Sequence, residues 1–111
     1  MKDDAVYVEY ILTRIQRINE YVGGDRNAFF SSTLVQDAVI RNLQVLAESS
    51  QRVSDSLKSQ LPEVPWRDIA GFRNILVHDY LGVDLDAIWL VVERDLPPLK
   101  AALERVSPVP G

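Results

Sequence analysis

The stretch from Arg73 to Tyr80, R-N-I-L-V-H-D-Y, gathers a guanidinium, a carboxamide, an imidazole and a phenol within one short run. His78 is the only histidine of the chain; it follows Arg73 by five positions and precedes Tyr80 by two. Such a set suits attack on a phosphodiester. An imidazole titrates near neutral pH and can take the proton of a ribose 2′-hydroxyl. A guanidinium can grip the phosphate in a two-pronged fashion and stabilise the charge that builds up as the new bond forms. Elsewhere the sequence offers no Asp/Glu/His array with metal-ligand spacing, no glycine-rich phosphate loop and no G-x-S-x-G elbow.

The same residues have an ordinary explanation. Cations near a helix C-terminus are favoured by the helix dipole, and a tyrosine beside an apolar stripe is usually packing. Three features count against it. The histidine is unique. Arg73 and Asn74 are adjacent where one polar residue would serve a solvated face. The apolar face is already supplied by Phe72, Ile75 and Leu76. Strand cleavage works best with two acid–base groups, one for the nucleophile and one for the leaving oxygen. One chain holds one histidine, so a two-fold dimer that brings two copies of this stretch together would complete the set.

The elements that must position these residues read as helices throughout. Ile11, Ile15, Ile18 and Val22 recur at spacings of 4, 3 and 4, with Val8 and Leu12 widening the face, so Asp3–Val22 is predicted helical. Gly23-Gly24 stops it, and Asp25 is placed to cap the next helix. A long second helix is predicted over Asn27–Leu57, with Ser32 or Thr33 as an alternative start. Its stripe is Val39, Leu43, Leu46, Val53 and Leu57, with small Ser49 and Ser50 filling the gap. Pro62 and Pro65 bracket a connector. A third helix is predicted over Trp66–Leu81, ended by Gly82. The last, Asp84–Glu104, repeats Leu85, Trp89, Val92, Leu96, Leu99 and Leu103; Pro97-Pro98 should divide it, with a proline in the first turn of the second piece. Residues 106–111 read as a frayed tail. Trp66 and Trp89 read as core or dimer anchors, and Tyr7, Tyr10 and Tyr21 as packing at the rim of the first helix. Together these elements predict an all-α, antiparallel four-helix bundle in a single domain, 1–111.

Composition sets outer limits. The apolar runs are far too short for the ~20 residues that span a bilayer, and the acids in M-K-D-D-A-V-Y-V-E-Y do not suit a signal peptide. The absence of cysteine excludes disulfides and thiolate metal sites and is compatible with a cytoplasmic protein. A formal charge of −4 argues against indiscriminate nucleic-acid binding. It leaves room for a local basic site, since arginine, the better bidentate phosphate ligand, outnumbers lysine nine to three.

The run R-N-I-L-V-H-D-Y resembles the R-x4-H-x-Y signature of HEPN-domain proteins of the HepT type. D-A-V-I-R-N-L-Q-V-L-A-E-S, P-W-R-D-I-A-G-F-R-N and D-L-P-P-L are similar to that family's flanking blocks, so the likeness covers essentially the whole chain. The resemblance implies an all-α homodimer with the motif in a composite cleft. It implies a metal-independent endoribonuclease toxin of a HEPN/MNT toxin–antitoxin pair, with RNA as substrate and no cofactor. Arg73 and His78 match the catalytic pair, and Asn74 matches the polar residue that follows the arginine. Tyr80 matches the tyrosine to which an MNT-type nucleotidyltransferase antitoxin transfers AMP. Arg41 and Glu48 match polar positions of the second-helix block, and Glu48 is a candidate to orient Arg73 or His78; the competing reading is a surface ion pair with Arg52. Where the family block usually has Gly before that Glu, this chain has Ala47. The rival reading is a non-catalytic HEPN module that binds nucleotide or positions a nucleotidyltransferase partner, and the acidic pI of about 4.9 leans towards it.

Overall fold

The computed structural model describes the backbone of residues 2–78 and 84–106 and the side chains of 3–72 and 84–106. Leu81, Gly82 and 107–111 lie outside the described residues. The described chain is an all-α helix bundle. Its elements are α1 (Lys2–Val22), α2 (Arg26–Ser31), α3 (Thr33–Arg52), α4 (Asp55–Gln60), α5 (Trp66–His78), α6 (Leu85–Leu90), a π-helical segment (Val91–Asp95) and α7 (Leu96–Val106).

The stripe of α1 is buried as its spacing predicts: Val8, Ile11, Ile15, Ile18 and Val22 all face the core. Gly23 and Gly24 end the helix with φ of 57° and 71°, a left-handed conformation that glycine adopts without a Cβ penalty. Asp25 caps α2 as expected, accepting from the Asn27 N–H at 2.9 Å.

The predicted single helix over Asn27–Leu57 is instead three, α2, α3 and α4. Both breaks are made by serine. Ser32 takes up extended backbone and its Oγ accepts from the Val35 N–H, which starts α3 at the alternative position. Ser54 does the same for Leu57 and starts α4. A serine side chain that satisfies a free N–H at a helix start competes with helix continuation. The apolar stripe runs through both breaks, since Val39, Leu43, Leu46, Val53 and Leu57 are all buried, with Ser49 and Ser50 buried between them.

Three tertiary hydrogen bonds, in two residue pairs, show the direction of α3. Asp4 accepts from the N–H and Oγ of Ser54 at 2.8 and 2.6 Å, and Arg14 Nη1 donates to Asn42 Oδ1 at 3.3 Å. As the number rises on α1 it falls on the other side, so α1 and α3 run antiparallel.

Asp4 is buried, and the Ser54 hydroxyl is the main cause holding its carboxyl below the ordinary carboxylate value, against the opposing effect of burial. A folded pKa below the unfolded one adds stability above the unfolded value, about 3.9; that stability is lost as pH falls through the folded value. Asp4→Ala should therefore cost about 2–3 kcal/mol at neutral pH, the scale of hydrogen bonds to a charged group. Thermal melts of both proteins from pH 7 to 2 should show a gap that is constant above about pH 5 and narrows below about pH 4. A gap independent of pH would remove the charge from the account.

The proline pair divides the last helix as predicted, with Pro97 and Pro98 in the first turn of α7. The chain is not severed there. It widens into the π segment, where the Leu96 N–H reaches the Val91 carbonyl five residues back. The amide hydrogens that prolines lack leave an α-helix short of bonds at this point, and a wider turn accommodates the mismatch. Asp95 in this segment has its carboxyl pushed up, first by burial and then by the charge of Asp68, with Arg94 opposing. Its sign is opposite to that of Asp4: its contribution is present below the unfolded pKa and is lost as pH rises. Val106, assigned to the tail from sequence, belongs to α7 and packs against the core.

Candidate functional site

The first half of α5 is clamped before the motif begins. Pro65 ends the connector, and its carbonyl accepts from the Ile69 N–H at 3.0 Å. The Trp66 indole Nε1 donates to the Leu61 carbonyl at 3.2 Å, and Lys58 Nζ lies 5.8 Å from the centre of its ring. Ile69 and Phe72 are buried. Trp66 itself is half-buried, a packing role short of a full core anchor. These contacts fix where the next two turns run.

Those turns carry Arg73, Asn74 and His78, all within the helical backbone of α5. Asn74 and His78 are one turn apart, about 6 Å along the axis, and Arg73 and His78 about 7.5 Å. Tyr80 lies outside the described residues. The backbone of Arg73, Asn74 and His78 is thus carried on a packed helix, a more rigid support than a loop.

Helix α3 packs against both α1 and α5. Glu48 is exposed on α3. It lines a groove of about 480 Å³ along the α1–α3 seam, with Tyr7, Tyr10, Arg41, Gln44 and Arg52 among its other walls. Tyr7 is half-buried against the core, but Tyr10 is 49% and Tyr21 40% exposed, more than the packing role read from sequence requires. The groove was not legible as such. Its one signal is the run Tyr7, Tyr10, Arg14, Arg17 and Tyr21 at spacings of 3, 4, 3 and 4, an aromatic and cationic stripe beside the apolar one. Ala47, which replaces the expected glycine, is completely buried beneath this face. Among the described residues no three His, Cys, Asp or Glu side chains gather as a metal site would require.

The model of the family described as ribonuclease HepT-like matches residues 11–106, which include α3, α5 and the whole R-x4-H-x-Y run. The chain belongs to the ribonuclease HepT-like family. Curated HepT-like relatives agree. A "probable ribonuclease HepT" of Thermococcus cleftensis is 36% identical, over 90% of this chain and 92% of its own. A "putative RNase" of Methanocaldococcus jannaschii is 37% identical over 74% of this chain and 75% of its own. A "gamma-glutamylcyclotransferase and putative RNase" of the same archaeon is 35% identical over 95% of this chain. The HepT-like chain spans only about half of that last protein, 48% of its length. No solved structure matches. Membership in this family supports an endoribonuclease activity. Among the described residues no helix is long and apolar enough to cross a membrane.

Proposed function

We propose that this chain is a metal-independent endoribonuclease toxin, working in the cytoplasm as a homodimer of single-domain, antiparallel four-helix bundles. The observation that carries the reading is the family match spanning the R-x4-H-x-Y run. In the composite cleft one His78 takes the proton of a ribose 2′-hydroxyl. The freed oxygen attacks the adjacent phosphorus, and the bond from phosphorus to the 5′-oxygen breaks. The second copy's His78 protonates that leaving oxygen. Arg73 holds the phosphate and stabilises its added charge, Asn74 adds a hydrogen bond, and Glu48 orients Arg73 or His78 from α3. The products carry a 2′,3′-cyclic phosphate and a 5′-hydroxyl. An RNA oligonucleotide with 2′-deoxyribose at the cleavage position should resist cutting there and stay sensitive elsewhere. Equal cutting of the deoxy position would overturn 2′-hydroxyl attack.

The partner is an MNT-type nucleotidyltransferase antitoxin that transfers AMP to Tyr80. The adduct puts bulk and negative charge where the RNA phosphate must lie, so cleavage stops. Incubation with the antitoxin and ATP should add the mass of AMP in whole steps, with Tyr80→Phe taking up none. The net charge of −4 favours a second reading, a non-catalytic nucleotide-binding or partner-binding module. Under that reading no RNA is cut at the unmodified mass.

A further inference from the structure

Apart from Glu48, the residues that line the groove along the α1–α3 seam have no part in the motif chemistry. We propose that this groove is the track that binds single-stranded RNA on its way to the α5 motif. The proposal rests on the ribonuclease reading and adds the substrate's path and the residues that line it.

The composition of the walls argues for this occupant. Arg41 and Arg52 are both exposed and both line the groove, in a chain whose net charge is −4. Two guanidinium groups on one short face of an acidic protein make a local site for phosphate. Tyr7 and Tyr10 line the opposite wall on α1, Tyr10 about half exposed. Aromatic rings beside cations are the pattern on which unpaired bases stack while the backbone is held by charge. A duplex keeps its bases stacked on one another, so this pairing selects single strands.

Position argues for it as well. Helix α3, which forms one wall of the groove, packs against both α1 and α5, and α5 carries the backbone of Arg73, Asn74 and His78. A helix is about 10 Å across, so a strand that crosses α3 from the groove has about one helix width to cover before it meets the next helix.

The test uses His78→Ala protein, which binds without cutting, and a fluorescent 12-nucleotide oligouridine read by anisotropy over a range of salt. Arg41→Gln with Arg52→Gln should weaken binding at least tenfold and lower the slope of log affinity against log salt by about 1.4, at about 0.7 per phosphate contact. Tyr10→Ala should weaken it about five- to 150-fold, the range for one lost stacking partner. Gln44→Lys, which adds a cation to the same wall, should tighten binding, a gain that misfolding cannot mimic. The same groove changes in the active protein should slow cleavage at limiting RNA. Unchanged binding and cleavage would overturn the track and leave the ribonuclease reading standing. A shift from dimer to monomer in sedimentation, with binding lost, would also overturn it, making the groove a face between copies. If the active protein neither binds nor cuts RNA, both readings fall together.

Discussion

His78→Ala should reduce RNA cleavage by about 10²- to 10⁴-fold, the usual contribution of a positioned acid–base group, while the protein stays folded. The fold should survive because α5 is already seated ahead of the motif by Ile69, Phe72 and the Trp66–Leu61 hydrogen bond. Arg73→Ala should cost about 10²- to 10³-fold, as the loss of a donor to developing charge does elsewhere. Arg73→Lys should recover only part of that, since an ammonium keeps the charge but loses the planar fork. In the proposed dimer both copies of His78 serve one cleft, as base and as acid, and activity should then rise and fall with pH around the imidazole range. The check is initial rates on one defined RNA, with circular dichroism of each variant. Full activity in His78→Ala would remove the histidine from the mechanism.

The largest expected loss of stability lies outside the motif. Phe29→Ala should destabilise the protein by about 3–5 kcal/mol, a large part of the 5–15 kcal/mol that holds a typical domain together. Helix α2 has six residues, too few to persist alone, so packing must hold it. Phe29 is completely buried, with its ring 5.1 Å from Phe30 in edge contact and 5.6 Å from Trp89. Trp89 is itself buried, the core role its spacing predicts, and it stands two residues before the π segment. Removing Phe29 opens a cavity where α2 meets α6. The exposed link between the same helices, Arg26 to Asp86 at 3.4 Å, should matter far less: Asp86→Ala should cost under about 1 kcal/mol. Urea midpoints for the two variants decide the ranking, and a larger loss for Asp86→Ala would reverse it.

Much of the scaffold was legible because burial follows helical periodicity. Ile11, Ile15 and Ile18 on α1, and Leu96, Leu99 and Leu103 on α7, are buried where their spacing places them. Asp25 and Asp84 cap the helices they precede. The breaks at Ser32 and Ser54 were not legible as two certain ends, because an apolar stripe that continues through a capping serine carries the same period on both sides. Pro97-Pro98 announced an interruption but not its form, since a missing N–H signals a lost bond without saying how the turn will widen. The motif stood out through residue type alone: a unique histidine with an arginine five positions before it. The groove did not, because a tyrosine next to an apolar stripe reads as rim packing until its exposure is seen. The dimer is an inference from chemistry, from one histidine where two acid–base groups are needed.

The central claim is that this HepT-like chain cuts RNA through its own side chains, without a metal. The most direct measurement is cleavage of total RNA in excess EDTA by the purified protein, after its intact mass has been confirmed to match the unmodified chain. Cleavage that persists in EDTA and disappears in His78→Ala is the predicted result. Intact RNA at the unmodified mass, or cleavage that EDTA abolishes, would contradict it.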